Sequence, residues 1–568
     1  MARRLPPFAV LAGVLVSVLA AAGCAPESPR TAAPRVADAL AVRGGVREFG
    51  TSFLRERDGI REARFAGPPY PRGYARGRLA YPQIAAGEAD LDFLLREMVP
   101  SGIRRWSLRR LLGLSMRRSE KWIGADHLAE IRGVSDAEFP DPLPGGWSPF
   151  ARQLSLHALH DFSQRFIDTV PLSGACTGFA AAAPATADGH VYLARNFDFE
   201  AGGRFDREKI VAAVVPESGF RYLSVTFGGM TGVVSGFNEK GLGVSLQALS
   251  GGATAGAGEP SSLVVADVLQ HDATVADAIA RIRAARVLVS DLYLVADASG
   301  AMAVVEKTPK RTGVRRGGPM LSATNIAGVP AIARSVGPPP PSSSSPARQR
   351  RIDELLARAN GRLDAAGAAA ILRDRLGAGD APLGPGNRNA IDALIACHSV
   401  VFDLTARRAW VATWPHTLGK FVAFDLSLLS TAEPDDPRFA ALEAEAIPAD
   451  PYLEVGYPGY LAARRLNRRA RAALLAGDPA SARRDADAAL ARAPQFVEAL
   501  ACRGEALLRL RDFAGAIADF DAAAKLSPGP PEFAGEIARF REAAAARTAP
   551  ARPLAFPVSL ADAIDSRE

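Results

Sequence analysis

The chain of 568 residues is poor in cysteine, with only Cys24, Cys176, Cys397 and Cys502. Four cysteines so widely spaced exclude a disulfide framework. None forms a C-x-x-C pair, which excludes a paired-thiolate zinc site. Histidine is scarce as well, seven in all. His157-Ala158-Leu159-His160-Asp161 has the helical spacing of metal ligands. No second cluster completes it, so these read as structural histidines, and no metal is expected. Aromatic residues make up 7% of the chain, and no basic run is studded with them. The formal charge of +7 therefore implies no nucleic-acid partner and reads as arginine spread along the chain. The glycine-rich stretch Gly251 to Gly258 lacks the lysine of a phosphate cradle and reads as a loop or a mobile rim. Long apolar runs are missing except near the N-terminus.

There, Arg3 and Arg4 precede an apolar run from Phe8 to Leu19, followed by Ala20-Ala21-Ala22-Gly23-Cys24. This is a charged region, a short apolar core and a small-residue cleavage site. The run falls short of the about 20 residues that span a bilayer. Residues 1–24 resemble a bacterial lipoprotein signal with Cys24 as the lipidated residue. That implies a cell-envelope protein, periplasmic or at the outer membrane, with plain secretion as the alternative. Residues 25–44, rich in Ala, Pro and Ser, read as a tether.

A chain this long implies two or three domains. Residues 45–175 are mixed, with helical stretches from Leu91 to Met98 and His127 to Arg132, and a strand start at Arg72-Gly73-Tyr74. From Cys176 the pattern changes to short apolar runs bounded by turn residues. They include Val191 to Phe199, Ile210 to Val215, Gly243 to Leu249 and Leu292 to Ala296. Leu263 to Val287 has helical periodicity. The low-complexity insert Pro338 to Pro346 is a solvated loop, and a helix follows from about Arg348 to Ala359. Strands at Leu394 to Phe402 and Arg408 to Thr413 close an α+β block over residues 176–430. In residues 450–546 Ala482, Ala486, Ala489 and Pro494 recur 34 positions later as Ala516, Phe520, Ala523 and Pro528. That is the period of the tetratricopeptide hairpin, a scaffold for a protein partner. Cys502 falls in one of its helices as a small core residue. Residues 547–568 form a tail.

Chemistry is concentrated in Cys176-Thr177-Gly178-Phe179, then Asp188-Gly189, then Ala194-Arg195-Asn196-Phe197-Asp198-Phe199. These read as two strands joined by a turn at Asp188-Gly189, which folds the second back toward Cys176. Arg195 and Asp198 then stand near the thiol. A guanidinium stabilises a thiolate, and a carboxylate can hold an ammonium or orient a base.

This segment resembles the start of the mature chain in the choloylglycine hydrolase and penicillin V acylase family. It is also similar to acid ceramidase, N-acylethanolamine acid amidase and, most nearly, the autoproteolytic acyl-CoA:isopenicillin acyltransferase group. Ala194 stands where the family usually has glycine. The run Phe237 to Gly243, Ala323-Thr324-Asn325, Ser345-Pro346-Ala347-Arg348 and His398 to Asp403 resemble later family segments in order. The resemblance covers roughly residues 70 to 430. It implies an αββα N-terminal-nucleophile sandwich, a helical pro-region before it, and no organic cofactor.

It implies a mechanism too. The Ala175–Cys176 bond is cut by the chain itself, and the upstream region stays bound as a second chain. Cys176 becomes nucleophile and, through its free α-amine, base; such an amine titrates near 8, close to neutral pH. Asp198 would hold the amine, Arg195 would sit beside the sulfur, and Asn325 would donate to the oxyanion. A backbone N–H near Ala248 would be the second oxyanion donor, and Arg348 a further polar group. The substrate would be a small N-acyl compound, cleaved or exchanged at its amide bond through an acyl-thioester. Competing readings remain for each residue. Cys176 could be an inert buried thiol, Arg195–Asp198 a structural ion pair, Asn325 a turn cap, and Arg348 a solvated arginine. Neighbours on a strand face opposite ways, so Cys397 and His398 read as core rather than as a dyad. Two other functions stay open: an envelope scaffold with a vestigial catalytic domain, and a lipid ester hydrolase using the same site.

Overall fold

The computed structural model describes residues 39–144, 147–159, 161, 175–199, 202–249, 257–339, 343–526 and 531–555. Cys24 with the rest of the leader, His160, residues 251–256 of the glycine-rich stretch, residues 340–342 of the insert and residues 556–568 of the tail lie outside these.

Among the described residues the strands form two sheets. The larger runs β1 (Ala41–Arg43), β2 (Val46–Phe49), β3 (Ser52–Arg57), β4 (Ile60–Gly67), β7 (Lys209–Pro216), β8 (Tyr222–Phe227), β9 (Ser235–Asn238), β10 (Leu242–Ala248), β11 (Asp291–Asp297), β12 (Met302–Lys307), β13 (Thr312–Arg316). The smaller runs β14 (Met320–Ala323), β5 (Ala175–Ala181), β6 (Tyr192–Asp198), β15 (Ala396–Asp403), β16 (Arg408–Ala412), β17 (Phe421–Asp425). The strands of the second block alternate cleanly between two environments. Leu292, Leu294 and Ala296 of β11 enter the core shared with Phe179 and Leu193 of the smaller sheet. Tyr293 and Val295 face the other way, onto Val264, Val268 and Ile279. Those last residues belong to helices Ser261–His271 and Val275–Ala284. Period-2 apolar strands buried on both faces therefore require helices outside both sheets. On the smaller sheet that cover is Ser345–Ala359 and Ala365–Leu372. The architecture is an α+β, αββα sandwich.

The upstream region is helical from Pro69 on, but it opens with four strands. The last of them, β4, pairs in parallel with β7, from Arg61 opposite Ile210 to Gly67 opposite Pro216. It is thus an interior strand of the large sheet rather than an appendage. Glu62 of β4, fully buried, is held by Arg55 (2.6 Å) and Arg57 (3.0 Å). These strands are rich in arginine and carry little apolar alternation, which hides them from a pattern reading.

The segment Arg72-Gly73-Tyr74 corrects the expectation of a strand start. It lies in helix Pro69–Leu79. Glycine lowers helix propensity, yet here it serves contact between helices. A Cβ at Gly73 would lie 1.9 Å from the Glu130 carbonyl oxygen, and one at Gly133 would lie 2.2 Å from that of Tyr70. That close crossing with helix Ala125–Asp136 lets Arg72 meet Glu130 through two bonds, 3.1 and 2.6 Å, with both residues buried. Replacing Arg72 by methionine strands the Glu130 carboxylate in the interior. The expected cost is about 3–5 kcal/mol in urea unfolding; a loss below about 1 kcal/mol would show the pair to be dispensable.

In the C-terminal region successive helices Tyr457–Leu475, Pro479–Arg492, Val497–Arg509, Phe513–Lys525 and Pro531–Ala545 pack on one another. The 34-residue echo is structural. Asp478 and Asp512 both cap helices, accepting from Ser481 N (2.9 Å) and Gly515 N (3.0 Å). The residue before each cap, Gly477 and Arg511, has positive φ. Ala482, Ala486 and Ala489 are buried, as are Ala516, Phe520 and Ala523. Cys502 is a buried core residue among Ala470, Leu474 and Ala506. The region docks on the sandwich body, where Asn387 donates to the Leu526 carbonyl (3.0 Å).

Candidate active site

The hairpin around Cys176 forms as its spacing predicts. β5 and β6 are antiparallel, with Cys176 opposite Phe197, Gly178 opposite Arg195 and Ala175 opposite Asp198. Gly178 and Arg195 are partners in the ladder, so the guanidinium starts two residues from the thiol. Arg195 Nη2 donates to Cys176 Sγ at 3.1 Å. Its Nη1 donates to the Val234 carbonyl (2.5 Å) and Ser235 Oγ (2.8 Å). The group also lies over the Phe197 ring, 4.7 Å from its centre. Arg195 is fully buried and makes no ion pair with Asp198. The two do not form the structural pair weighed above.

Asp198 is buried, and neither carboxylate oxygen has a hydrogen-bond partner among the described residues. Burial pushes its carboxyl up to about 7; Arg348 opposes the rise and Asp392 adds to it. A carboxyl raised in the folded state holds more protons there than in the unfolded chain between 3.8 and about 7. Its contribution to stability is therefore lost as pH climbs through that window. In a Cys176→Ala background, Asp198→Asn is expected to raise the melting temperature more at pH 8 than at pH 4. An equal change at the two pH values would contradict this.

Asn325 follows β14, the neighbour of β5 in the sheet. Its Oδ1 accepts from Cys176 N at 2.9 Å, and its Nδ2 donates to the Ala248 carbonyl at 2.8 Å. Asn325 thus bridges the nucleophile's amide to the end of β10 and is no turn cap. Along β10, the Leu246 N–H donates to the Val234 carbonyl (2.9 Å), on the β9 side. Alternation turns the Ala248 N–H to that same side, beyond the end of the β9 ladder. Arg348 is no solvated arginine, being 1% exposed. Its Nη1 donates to the Cys176 carbonyl and Thr177 Oγ1, both at 2.7 Å. Its Nη2 donates to Asn325 Oδ1 (3.1 Å) and Ser345 Oγ (3.0 Å). Every proposed residue, Cys176, Arg195, Asp198, Ala248, Asn325 and Arg348, is thus brought to one place.

One expectation needs correcting in detail. The pairing of β15 with β6 slips between Ala396 and His398, leaving Cys397 as a bulge. A bulge re-aims side chains, so strict alternation fails here. Cys397 clusters with Cys176 and Phe197. His398 stacks on Phe197 at 5.1 Å and meets Ser235 Oγ at 2.8 Å. Burial, with Arg195 and Lys209 nearby, holds its imidazole well below its ordinary value and hence neutral. Sequence reasoning missed this Arg195–Ser235–His398 layer, because nothing in spacing joins three strands. His157, by contrast, is structural: its ring nitrogens meet the Gln153 carbonyl (2.7 Å) and Thr231 Oγ1 (2.8 Å).

Beside the cluster of Cys176 and Phe197 opens a cavity of about 100 Å3. Phe197, Phe199, Phe205, Phe227, Met230 and Val234 form one wall. Ile84 and Leu91 of helix Tyr81–Met98, with Leu156 and Leu159, form the other. Gln83, Glu88, Arg204 and Glu208 supply its polar groups. The upstream region therefore builds half of this apolar chamber.

Two sheets between layers of helices, with a thiol near the start of a strand of the smaller sheet, form the αββα architecture of the N-terminal-nucleophile fold. Residues 185–413 match the family described as acyl-coenzyme A:6-aminopenicillanic acid acyl-transferase. An uncharacterised protein of Archaeoglobus fulgidus is 24% identical over 271 residues, spanning 44% of each chain. Among solved structures, the N-acylethanolamine-hydrolyzing acid amidase ortholog of Caenorhabditis elegans aligns at 17% identity, with TM-score 0.31. That alignment covers 40% of this chain and 93% of the other. Penicillin V acylase from Agrobacterium tumefaciens aligns at 17% identity and TM-score 0.31, covering 45% and 89%. The conjugated bile acid hydrolase of Clostridium perfringens, as a mutant, aligns at 14% identity and TM-score 0.29, covering 45% and 95%.

Proposed function

We propose that this chain cuts itself before Cys176 and then cleaves or exchanges the amide bond of small N-acyl compounds with an apolar acyl group. The observation that carries this is the pairing of Cys176 with a buried, unpartnered carboxylate. Asp198 lies opposite Ala175 with neither oxygen bonded, and the neighbouring Cys176 nitrogen donates to Asn325 Oδ1. A buried carboxylate without a partner is costly. Cutting the Ala175–Cys176 bond converts that nitrogen to an amine, which can carry a proton and answer the carboxylate.

In the cut, the thiol adds to the Ala175 carbonyl, the carbon–nitrogen bond breaks, and water releases Ala175 as a carboxylate. In turnover, the α-amine takes the thiol proton, and sulfur adds to the substrate carbonyl. The oxyanion is met by Asn325 and the Ala248 N–H. The amine leaves with the proton, and the acyl-thioester passes its acyl group to water or to another amine. The upstream piece is retained, because β4 is hydrogen-bonded inside the sheet. The reading includes a lipid anchor at Cys24 that keeps the enzyme at the bacterial envelope. It also includes a protein partner for the 34-residue helical hairpins, taken as tetratricopeptide repeats.

N-terminal sequencing of the purified protein tests the cut, with a second chain expected to begin at Cys176. A thiol-reactive acyl probe is expected to label Cys176. A single unlabelled chain would favour a scaffold with a vestigial site, and faster turnover of esters than of amides would favour an esterase. The apolar lining of the cavity supports reading it as the acyl pocket. Leu91→Trp fills it and is expected to lower kcat/KM for long acyl chains about 10-fold or more relative to acetyl. An unchanged ratio would place the acyl group elsewhere.

A further inference from the structure

Away from the thiol, the upstream region and the nucleophile half meet at a second cluster of donors. His127 lies in the first turn of helix Ala125–Asp136. Glu259 immediately precedes Pro260, the cap of helix Ser261–His271, and Asp267 lies within that helix. One donor atom from each, an imidazole nitrogen and two carboxylate oxygens, lie within 4.8 Å of one another. His127 Nε2 is 2.9 Å from Asp267 Oδ1. Glu259 is only 9% exposed. Among the described residues no hydrogen bond or ion pair reaches its carboxylate, which is turned into the cluster.

Each donor stands on a backbone that is independently held. The Glu259 N–H donates to the Arg286 carbonyl at 2.7 Å, and the residue bridges Val287. The His127 helix is pinned by the Arg72–Glu130 pair. The buried carboxylate of Glu259 and the partly exposed one of Asp267 repel each other where they converge, and the imidazole is bonded only to Asp267. A dication satisfies both at once and accepts the imidazole as a third ligand.

We propose that His127, Glu259 and Asp267 form a divalent transition-metal site that clips the upstream region to the nucleophile half. A set of one nitrogen and two oxygens suits Zn2+ or Mn2+, with water completing the shell. Mg2+ and Ca2+ prefer oxygen alone. On binding through Nε2, the imidazole gives up its bond to Asp267, and any proton on that nitrogen goes to solvent. The site lies apart from the reacting thiol, so its role is to hold two pieces together after a cut rather than to take part in acyl transfer.

The test uses the full chain carrying Cys176→Ala, so that the nucleophile cannot bind metal. After stripping with chelator, dialysis against ZnCl2 or MnCl2 is expected to leave one equivalent of metal and to raise the melting temperature. Glu259→Gln and Asp267→Asn are each expected to weaken retention at least ~10-fold and to abolish the thermal shift. If either variant does not fold, the parent's own metal content decides. Retention of neither metal by the parent, or equal retention by parent and Glu259→Gln, overturns the site and leaves a His127–Asp267 ion pair only. This outcome is independent of whether the chain cuts itself.

Discussion

Cys176→Ala is expected to run as one uncut chain and to lose turnover by at least about 10^4-fold. In the proposed function the sulfur has two tasks, and no neighbour can assume either. Cys397 is the next thiol in space, but burial pushes it well above its ordinary value, and Asp206 and Asp198 add to the rise. It stays protonated, with its Sγ on the Phe199 carbonyl at 3.2 Å. Histidine cannot step in either, since His398 is neutral and engaged with Ser235. Gel analysis with intact mass checks the cut, and hydrolysis of an N-acyl amide checks the chemistry. A variant still found in two pieces would assign the cut to another protease.

Arg195→Leu is expected to lower kcat by about 100-fold or more, with little change in KM. The guanidinium faces the sulfur and does not line the apolar cavity, so its loss is expected to act on Cys176. Without it the thiolate has no cation at hydrogen-bond distance, and the Val234 carbonyl and Ser235 hydroxyl each lose a donor. Lysine is a poor replacement, because one guanidinium reaches the sulfur, the carbonyl and the hydroxyl through two nitrogens at once. Ser235→Ala, which removes one bond from Arg195 and one from His398 but leaves the guanidinium on the sulfur, is expected to cost much less. Single-turnover kinetics with an acyl probe separates slow thioester formation from slow deacylation. If KM rises while kcat is kept, Arg195 binds substrate instead of supporting the nucleophile.

Much of the site was legible from residue order. The Cys176 hairpin could be read because its alternation is local and a turn lies between its strands. The 34-residue echo of the tail was legible for the same reason, since each helical hairpin carries its own cap and small residues. Asn325 and Arg348 were placed by family resemblance, and their bonds became visible only in space. Other features left no local trace. Strands β1–β4 carry arginines where alternation would show apolar residues, because their partners are the buried Glu62 and distant carbonyls. Gly73 resembles a helix breaker until helix Ala125–Asp136 is laid across it. The bulge at Cys397 undoes a period-2 reading by a single residue.

By itself, the order of amino acids singled out the Cys176 hairpin, with Arg195 and Asp198 near it, and the repeating tail, both of which follow from short-range backbone geometry; the sandwich class came with the family resemblance. Tertiary structure alone decided that an upstream strand runs inside the large sheet, and that upstream helices wall half of the apolar cavity. It also decided that His127 faces Glu259 and Asp267. Those choices join residues more than a hundred positions apart. They turn on which buried polar atoms find partners after the chain has closed, and no window of sequence contains both members of such a pair.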